Sequence, residues 1–423
     1  MNFQGFIDDI KQNNLQVYGV EVYKDGKLIH SYGDTTENRY PIYSITKAFT
    51  SIAVGLAVDE GKMDIRKCIL DYLPAQAVEK MTAEQRQIYQ HITVKRLLTM
   101  SVKGYPFRLE TDCWLSEALA YPLENVEEKT FDYTNVSAYL VGVAVACAVE
   151  EDLYSYLDRK VFRVLGIKDP KVGRCPDGYF YGASMMELTV HELSKVGLLL
   201  ANGGVYEGKR ILSEEYIKEA ISVQQMNREG GYGYFFWKYR DGFSLNGKWG
   251  QKCYVLPKEG LIITFLAHIE EGSNGVRASM EKYILKPQYL YHGSQYRFDV
   301  LKPQQAMGEC EKESLKAIYA AEAMKEVIPF ALPIRWYPDS PEGKRSFTCD
   351  SGKTNLVYGS LNPHGVGYVY KLDSAPFEKV DEWEWVCQED CVPLEVIEIK
   401  VEDYLHTVEF SEEAKKINRQ LYG

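Results

Sequence analysis

Between Ser44 and Glu60 the chain is apolar nearly all round. Ala48, Phe49, Ile52, Ala53, Val54, Leu56, Ala57 and Val58 leave no polar stripe for water. A helix of this kind is stable only when other elements cover it on every side, and Gly61 supplies the stop expected just past its end. A second stretch, Val136 to Val149, has the same character. Two wrapped helices require a domain with a large core. The 423 residues, 45% hydrophobic and 26% charged, are enough for two or three domains of ordinary size.

Around these helices the pattern alternates between strand and helix signals. Val17 to Tyr23 and Leu28 to Tyr32 read as a hairpin about the turn Asp25-Gly26. Thr189-Val-His-Glu192 has capping-box form and opens a helix that ends at Asn202-Gly203-Gly204. Phe243 to Leu256 and Leu261 to Ala267 read as paired strands around Pro257-Lys258-Glu259-Gly260, and a last helix covers Arg277 to Leu285. At Lys286-Pro287 the composition shifts to Tyr, Trp and Pro, with short strand-like runs at Leu290–His292, Ile318–Ala320, Tyr368–Tyr370 and Leu394–Val401. Proline cannot continue a helix, which suggests one domain over residues 1–286 and a smaller one over 288–423.

Several function classes are disfavoured. Lys+Arg 49 against Asp+Glu 60 gives a net charge of −11, which argues against nucleic acid or an anionic membrane as partner. There is no run long and apolar enough to span a membrane, and the first residues lack the form of a secretory signal. Nine scattered cysteines (68, 113, 147, 175, 253, 310, 349, 387, 391) do not form a disulfide framework or a metal knuckle. The expectation is a cytoplasmic protein with reduced thiols and no metal.

The chemistry concentrates at Ser44-Ile45-Thr46-Lys47, where the buried helix begins. Residues three apart share a helix face, so the lysine can hold and shuttle the hydroxyl proton. Burial lowers a lysine pKa, and the helix start favours a developing anion. A chance copy of this spacing exists at Ser279 to Lys282, so the pattern alone is weak. Tyr133-Thr134-Asn135 precedes the second apolar helix. There a tyrosine can act as base if cations depress its pKa and the Asn amide can hold substrate and lysine, although a turn Asn beside a packing Tyr is the commoner occurrence. Lys248-Trp249-Gly250 fits an edge strand lining a cleft, with the glycine permitting close approach of a substrate. A solvated hairpin lysine, or a register with Asn246-Gly247 in the strand site, stays open.

Taken in order, these three elements resemble the serine β-lactamases of class C type, the DD-peptidases, and the esterases and amidases that share their fold. The segments YSITKAFTSIAVGLAVDEGKMDI, LLTMSVKG and YGASMMELTVHELSKVGLLLANGG extend the likeness over most of residues 15–285. The resemblance implies an α+β, β-lactamase/transpeptidase-like domain, an antiparallel sheet flanked by helices, acting through an acyl-enzyme on a small amide or ester. Ser44 would be the nucleophile, Lys47 its proton partner, Tyr133 the base, and Asn135 a substrate and lysine ligand. Lys248, Trp249 and Gly250 would line the cleft. Trp249 stands where lactamases carry Thr or Ser, which argues against lactams more than against acyl transfer, and Met100 replaces the family's loop His. A degenerate fold serving as a binding module is the competing expectation.

In the tail, Tyr289-Leu-Tyr-His-Gly-Ser294, Ala317-Ile-Tyr-Ala-Ala321 and Glu389-Asp-Cys-Val-Pro resemble ADP-ribosyltransferase-like domains of the His-Tyr-Glu kind. The likeness implies NAD as cofactor of that domain, with His292, Tyr319 and Glu389 as its site. An accessory α+β domain without catalysis is the alternative.

Overall fold

The computed structural model describes residues 1–270, 275–305, 315–335, 347–350, 353–380 and 384–422, so Cys310 lies outside the described residues. Its first element, α1 (Phe3–Gln12), buries Phe6, Ile7 and Ile10. The hairpin follows as β1 (Val17–Lys24) and β2 (Lys27–Gly33), with Asp25 and Gly26 both at positive φ, as a primed turn requires. The strands β3 (Trp237–Tyr239), β4 (Gly242–Asn246), β5 (Lys252–Leu256) and β6 (Leu261–Ala267) complete an antiparallel sheet of order β2-β1-β6-β5-β4-β3.

Three helices carry the core. The first, α2 (Thr46–Asp59), is buried from Thr46 through Ala57, as its apolar circumference demands. The second, α3 (Asn135–Val149), is equally enclosed. The third, α4 (Val190–Ala201), starts with the expected capping box, Thr189 Oγ1 accepting from Glu192 N at 3.0 Å while Glu192 Oε2 accepts from Thr189 N at 3.0 Å. It lies against the sheet at Gly197, where a Cβ would press on Cys253 Sγ and Ile262. The opposite face takes α1, with Phe3 stacked 4.5 Å from the His30 ring. A further helix, α5 (Gly275–Tyr283), lies just before the second unit's strands.

Two expectations are corrected. The run Phe243 to Leu256 is not one strand. It folds back on itself, with Asn246 opposite Lys252, so Lys248-Trp249-Gly250 forms the tight turn between β4 and β5. Trp249 and Gly250 both take positive φ there, which no continuous strand allows. The helix start is also displaced, because Tyr43–Ile45 forms a separate 3-10 turn ahead of α2.

The chain divides into two compact units, Phe3–Met280 and residues 281–423 joined by Met1–Asn2. The break falls a few residues before Lys286-Pro287. The second unit holds β7 (Tyr289–Ser294), β8 (Gln304–Gln305), β9 (Lys316–Ala320), β10 (Val366–Asp373), β11 (Glu378–Lys379), β12 (Trp385–Cys387) and β13 (Glu395–Lys400). They form the sheets β7-β10-β13 and β8-β9-β12-β11. Among the described residues no helix is long and apolar enough to cross a membrane.

Candidate active site

Ser44 sits half-buried in the 3-10 turn that leads into α2. Its predecessor Tyr43 has φ of 48°, a left-handed conformation that bulky residues adopt only under constraint. That elbow presents Ser44 at the head of the helix, where the first N–H groups have no intrahelical acceptor.

One turn on, Lys47 is 1% exposed. Its Nζ lies 3.0 Å from Ser44 Oγ, 2.6 Å from Asn135 Oδ1 and 3.0 Å from the Ala183 carbonyl oxygen. Burial brings its pKa down to about 7. The three partners determine what the neutral amine does. Asn135 Oδ1 and the Ala183 carbonyl can only accept, so they take its two N–H bonds, and its lone pair is left facing the Ser44 hydroxyl. Ser44 and a proton acceptor poised near neutral pH are thereby built into the folded chain.

Each partner is itself held. Asn135 opens α3, whose cap Thr134 accepts from Val136 N at 3.1 Å and donates to the Pro106 carbonyl at 2.5 Å, while Asn135 N donates to the Phe107 carbonyl at 2.9 Å. Ala183 is fixed through its neighbour, since Thr50 Oγ1 donates to the Gly182 carbonyl at 2.8 Å. Gly182 packs so tightly on Thr50 that a Cβ would collide with the hydroxyl.

Tyr133 joins this group, its ring centroid 4.9 Å from Lys47 Nζ. The expected depression of its pKa is not found. Burial pushes the phenol up to about 12, and the nearby Ser44 hydroxyl draws it only part of the way back. The cation that was to lower it is a lysine whose own charge is marginal at neutral pH, so of the two groups it is Lys47 that can be free of its proton there.

The third motif lies elsewhere than expected. Lys248 is exposed, with its ammonium 4.2 Å from the Trp249 ring centroid, and it does not join Lys47 or Tyr133. Trp249 is edge-on to Tyr43 at 5.2 Å, which sets it beside the residue that precedes Ser44. Within this turn it is the Gly247 backbone that passes close to a neighbour: a Cβ there would strike the Ile42 carbonyl, whereas one on Gly250 would meet only Ala267 and Ile269 side chains. The residues missed from sequence are Tyr43, Thr50 and the Ala183 carbonyl. Only the Gly182-Ala183-Ser184 turn carried a signal.

In the second unit, His292 Nδ1 lies 2.6 Å from the Tyr319 carbonyl oxygen, which places the two residues on facing strands. Glu389 follows β12 in a turn whose backbone N–H and carbonyl bond to Cys387 and Cys391. Its carboxylate is exposed and makes no hydrogen bond or ion pair among the described residues. Among the described residues no group of three or more His, Cys, Asp or Glu is placed to hold a metal ion.

The model of the family described as Beta-lactamase matches residues 6–285. A 6-aminohexanoate-dimer hydrolase of Paenarthrobacter ureafaciens is 22% identical over 275 residues, covering 56% of this chain and 67% of the relative. Among solved structures, a class C β-lactamase from Rhodobacter sphaeroides superposes with TM-score 0.54 at 13% identity, over 67% of this chain and 99% of that one. A penicillin-binding protein homolog from Caulobacter crescentus gives 0.52 at 15% identity, over 66% and 97%.

Proposed function

Because the chain belongs to the β-lactamase family, we propose that its first unit is a serine acyl-transfer hydrolase acting on a small amide or ester. The supporting observation is the buried Lys47, with its two N–H bonds committed and its lone pair left for the Ser44 hydroxyl. A degenerate binding module would have no reason to carry a desolvated lysine at that spot, since burying an ammonium is costly.

In the proposed reaction the Ser44 Oγ–H proton passes to Lys47 Nζ as Oγ bonds to the substrate carbonyl carbon. The Ser44 N–H, with an N–H of the turn after β4, stabilises the resulting oxyanion. The proton moves on through the Tyr133 phenol to the leaving nitrogen or oxygen, the bond to it breaks, and an ester on Ser44 remains. Water then attacks that ester, gives its proton to the neutral Lys47, and frees the acid as the proton returns to Ser44 Oγ. The raised pKa of Tyr133 suits a relay that donates and regains a proton without resting as phenolate.

The substrate reading rests on Trp249. The Trp249 indole, edge-on to the Tyr43 ring, offers aromatic surface and no hydroxyl at the position where a lactam carboxylate would need a partner. One relative's name, 6-aminohexanoate-dimer hydrolase, is in keeping with a linear amide, the bond that joins two amino acids. The test is a fluorophosphonate probe read by intact mass. One adduct is expected on the wild type and on Ser279→Ala, with none on Ser44→Ala. An adduct that survives Ser44→Ala overturns the assignment.

A further inference from the structure

A cavity of about 870 Å3 lies at the far end of the sheet from Ser44. β5 leaves the Trp249 turn at Lys252 and ends at Leu256, so the Pro257–Gly260 turn on the cavity's rim sits one strand length away, about 15–17 Å at 3.4 Å per residue. The volume is that of a small-molecule pocket. Its walls include Tyr23, Tyr206, Leu198, His191 and Lys195.

Behind this wall a carboxylate is buried in the middle of the sheet. Glu21 on β1 is 1% exposed, between Val20 and Val22. Its Oε2 accepts from Tyr23 Oη at 3.1 Å, and its Oε1 lies 3.1 Å from His191 Nδ1. The Tyr23 phenol is pushed far up by burial and by Glu21, so it is a donor here. His191 Nδ1 also lies 3.3 Å from Tyr23 Oη, so that nitrogen is engaged by the pair, and Nε2 of the ring, on a side chain 37% exposed, is the one left for a ligand in the cavity that His191 lines. Lys195 follows one helical turn later on α4, on the same face. Gly166 leaves room beside its ammonium, which makes no ion pair or hydrogen bond among the described residues.

The reaction at Ser44 uses none of these groups. A buried carboxylate that orients an imidazole, an unpaired ammonium and two aromatic faces converge on one empty volume. We propose that this cavity is a second binding site, for a small organic anion with a flat apolar body. Lys195 supplies the charge, His191 Nε2 a directed hydrogen bond, and Tyr23 and Tyr206 the faces on which the body rests. Asp25 and Glu207, exposed at the rim, disfavour ligands with a second negative group at the outer end.

The test is a fluorescence titration of the full chain with 8-anilinonaphthalene-1-sulfonate, alongside the uncharged N-phenyl-1-naphthylamine. One sulfonate per chain is expected, with Kd at least tenfold weaker for Lys195→Glu and within about twofold for Lys195→Arg and Ser44→Ala. Lys195 is half-buried and has no hydrogen-bond or ion-pair partner among the described residues, so the charge reversal leaves the core intact, and a thermal melt checks this. Three outcomes would overturn the proposal: equal affinity for the uncharged dye, an unchanged Kd in Lys195→Glu, or loss of binding in Ser44→Ala.

Discussion

The Ser44 cluster and the His292 set both began as three residue types in the right order, and the fold treats them differently. At Ser44 the side chains meet one another: Lys47 Nζ touches Ser44 Oγ and Asn135 Oδ1 directly, in a space that buried helices enclose. At His292 the ring bonds to a backbone carbonyl, which any residue at position 319 would provide, and Glu389 stays in solvent. A chemical site needs side chains aimed at each other by packed elements, because only desolvation and fixed geometry shift a pKa and hold a reacting pair. Order along the chain supplies neither.

That contrast can be broken most sharply at Lys47. Lys47→Met should lower kcat/KM for a 4-nitrophenyl ester about 100- to 1000-fold, the usual worth of a positioned proton acceptor. In the wild type, kcat/KM should rise with pH up to about 7, as the ammonium loses its proton, and then level off. A profile that keeps climbing toward pH 10 would return the basic role to Tyr133.

A smaller effect is expected at Trp249. Trp249→Thr should raise acylation by a cephalosporin by about tenfold, since one hydrogen bond to a charged group is worth roughly 1.5–3 kcal/mol. Turnover of a small acetyl ester should change less than threefold. Efficient cephalosporin turnover by the wild type would contradict the reading of Trp249 as the excluding residue.

Stability should carry the same signature more gently. Lys47 has its folded pKa near 7 against about 10.5 when unfolded, so the unfolded chain binds the extra proton between those values. Wild-type stability therefore falls as pH drops from 10.5 to 7 and is level in this respect below that. Lys47→Met lacks the term, and its Tm relative to wild type should move upward by several degrees between pH 10 and pH 7. A constant difference would mean that Lys47 is not desolvated.

The least change is expected from removing the second unit. Residues 1–286 expressed alone should keep fluorophosphonate labelling at Ser44 within about twofold, and His292→Ala with Tyr319→Ala in the full chain should leave it unaltered. An insoluble or unlabelled fragment would show that the nucleophile's surroundings depend on residues beyond 286.

Local features were legible in the residues because they depend on neighbours in the chain. The apolar circumference of 46–57, the stop at Gly61, the Asp25-Gly26 turn and the Thr189–Glu192 capping box are all interactions within a few positions. So is the Ser44–Lys47 pairing, which helical spacing alone brings into reach. What Lys47 does there was decided by the tertiary structure. Asn135 lies on another helix and the Ala183 carbonyl on a distant turn held by Thr50, and these two absorb its N–H bonds. The third motif went the same way. Lys248-Trp249-Gly250 has strand-compatible residues, but the pairing of Asn246 with Lys252 reverses the chain there and brings the Gly247 backbone against the Ile42 carbonyl. Glu21 read as one polar residue in an alternating strand, and only α4 packing on the sheet set His191 against it and made a second cavity wall. Spacing along a chain determines which groups share a face, whereas burial, partners and pKa belong to the elements that come to lie against that face.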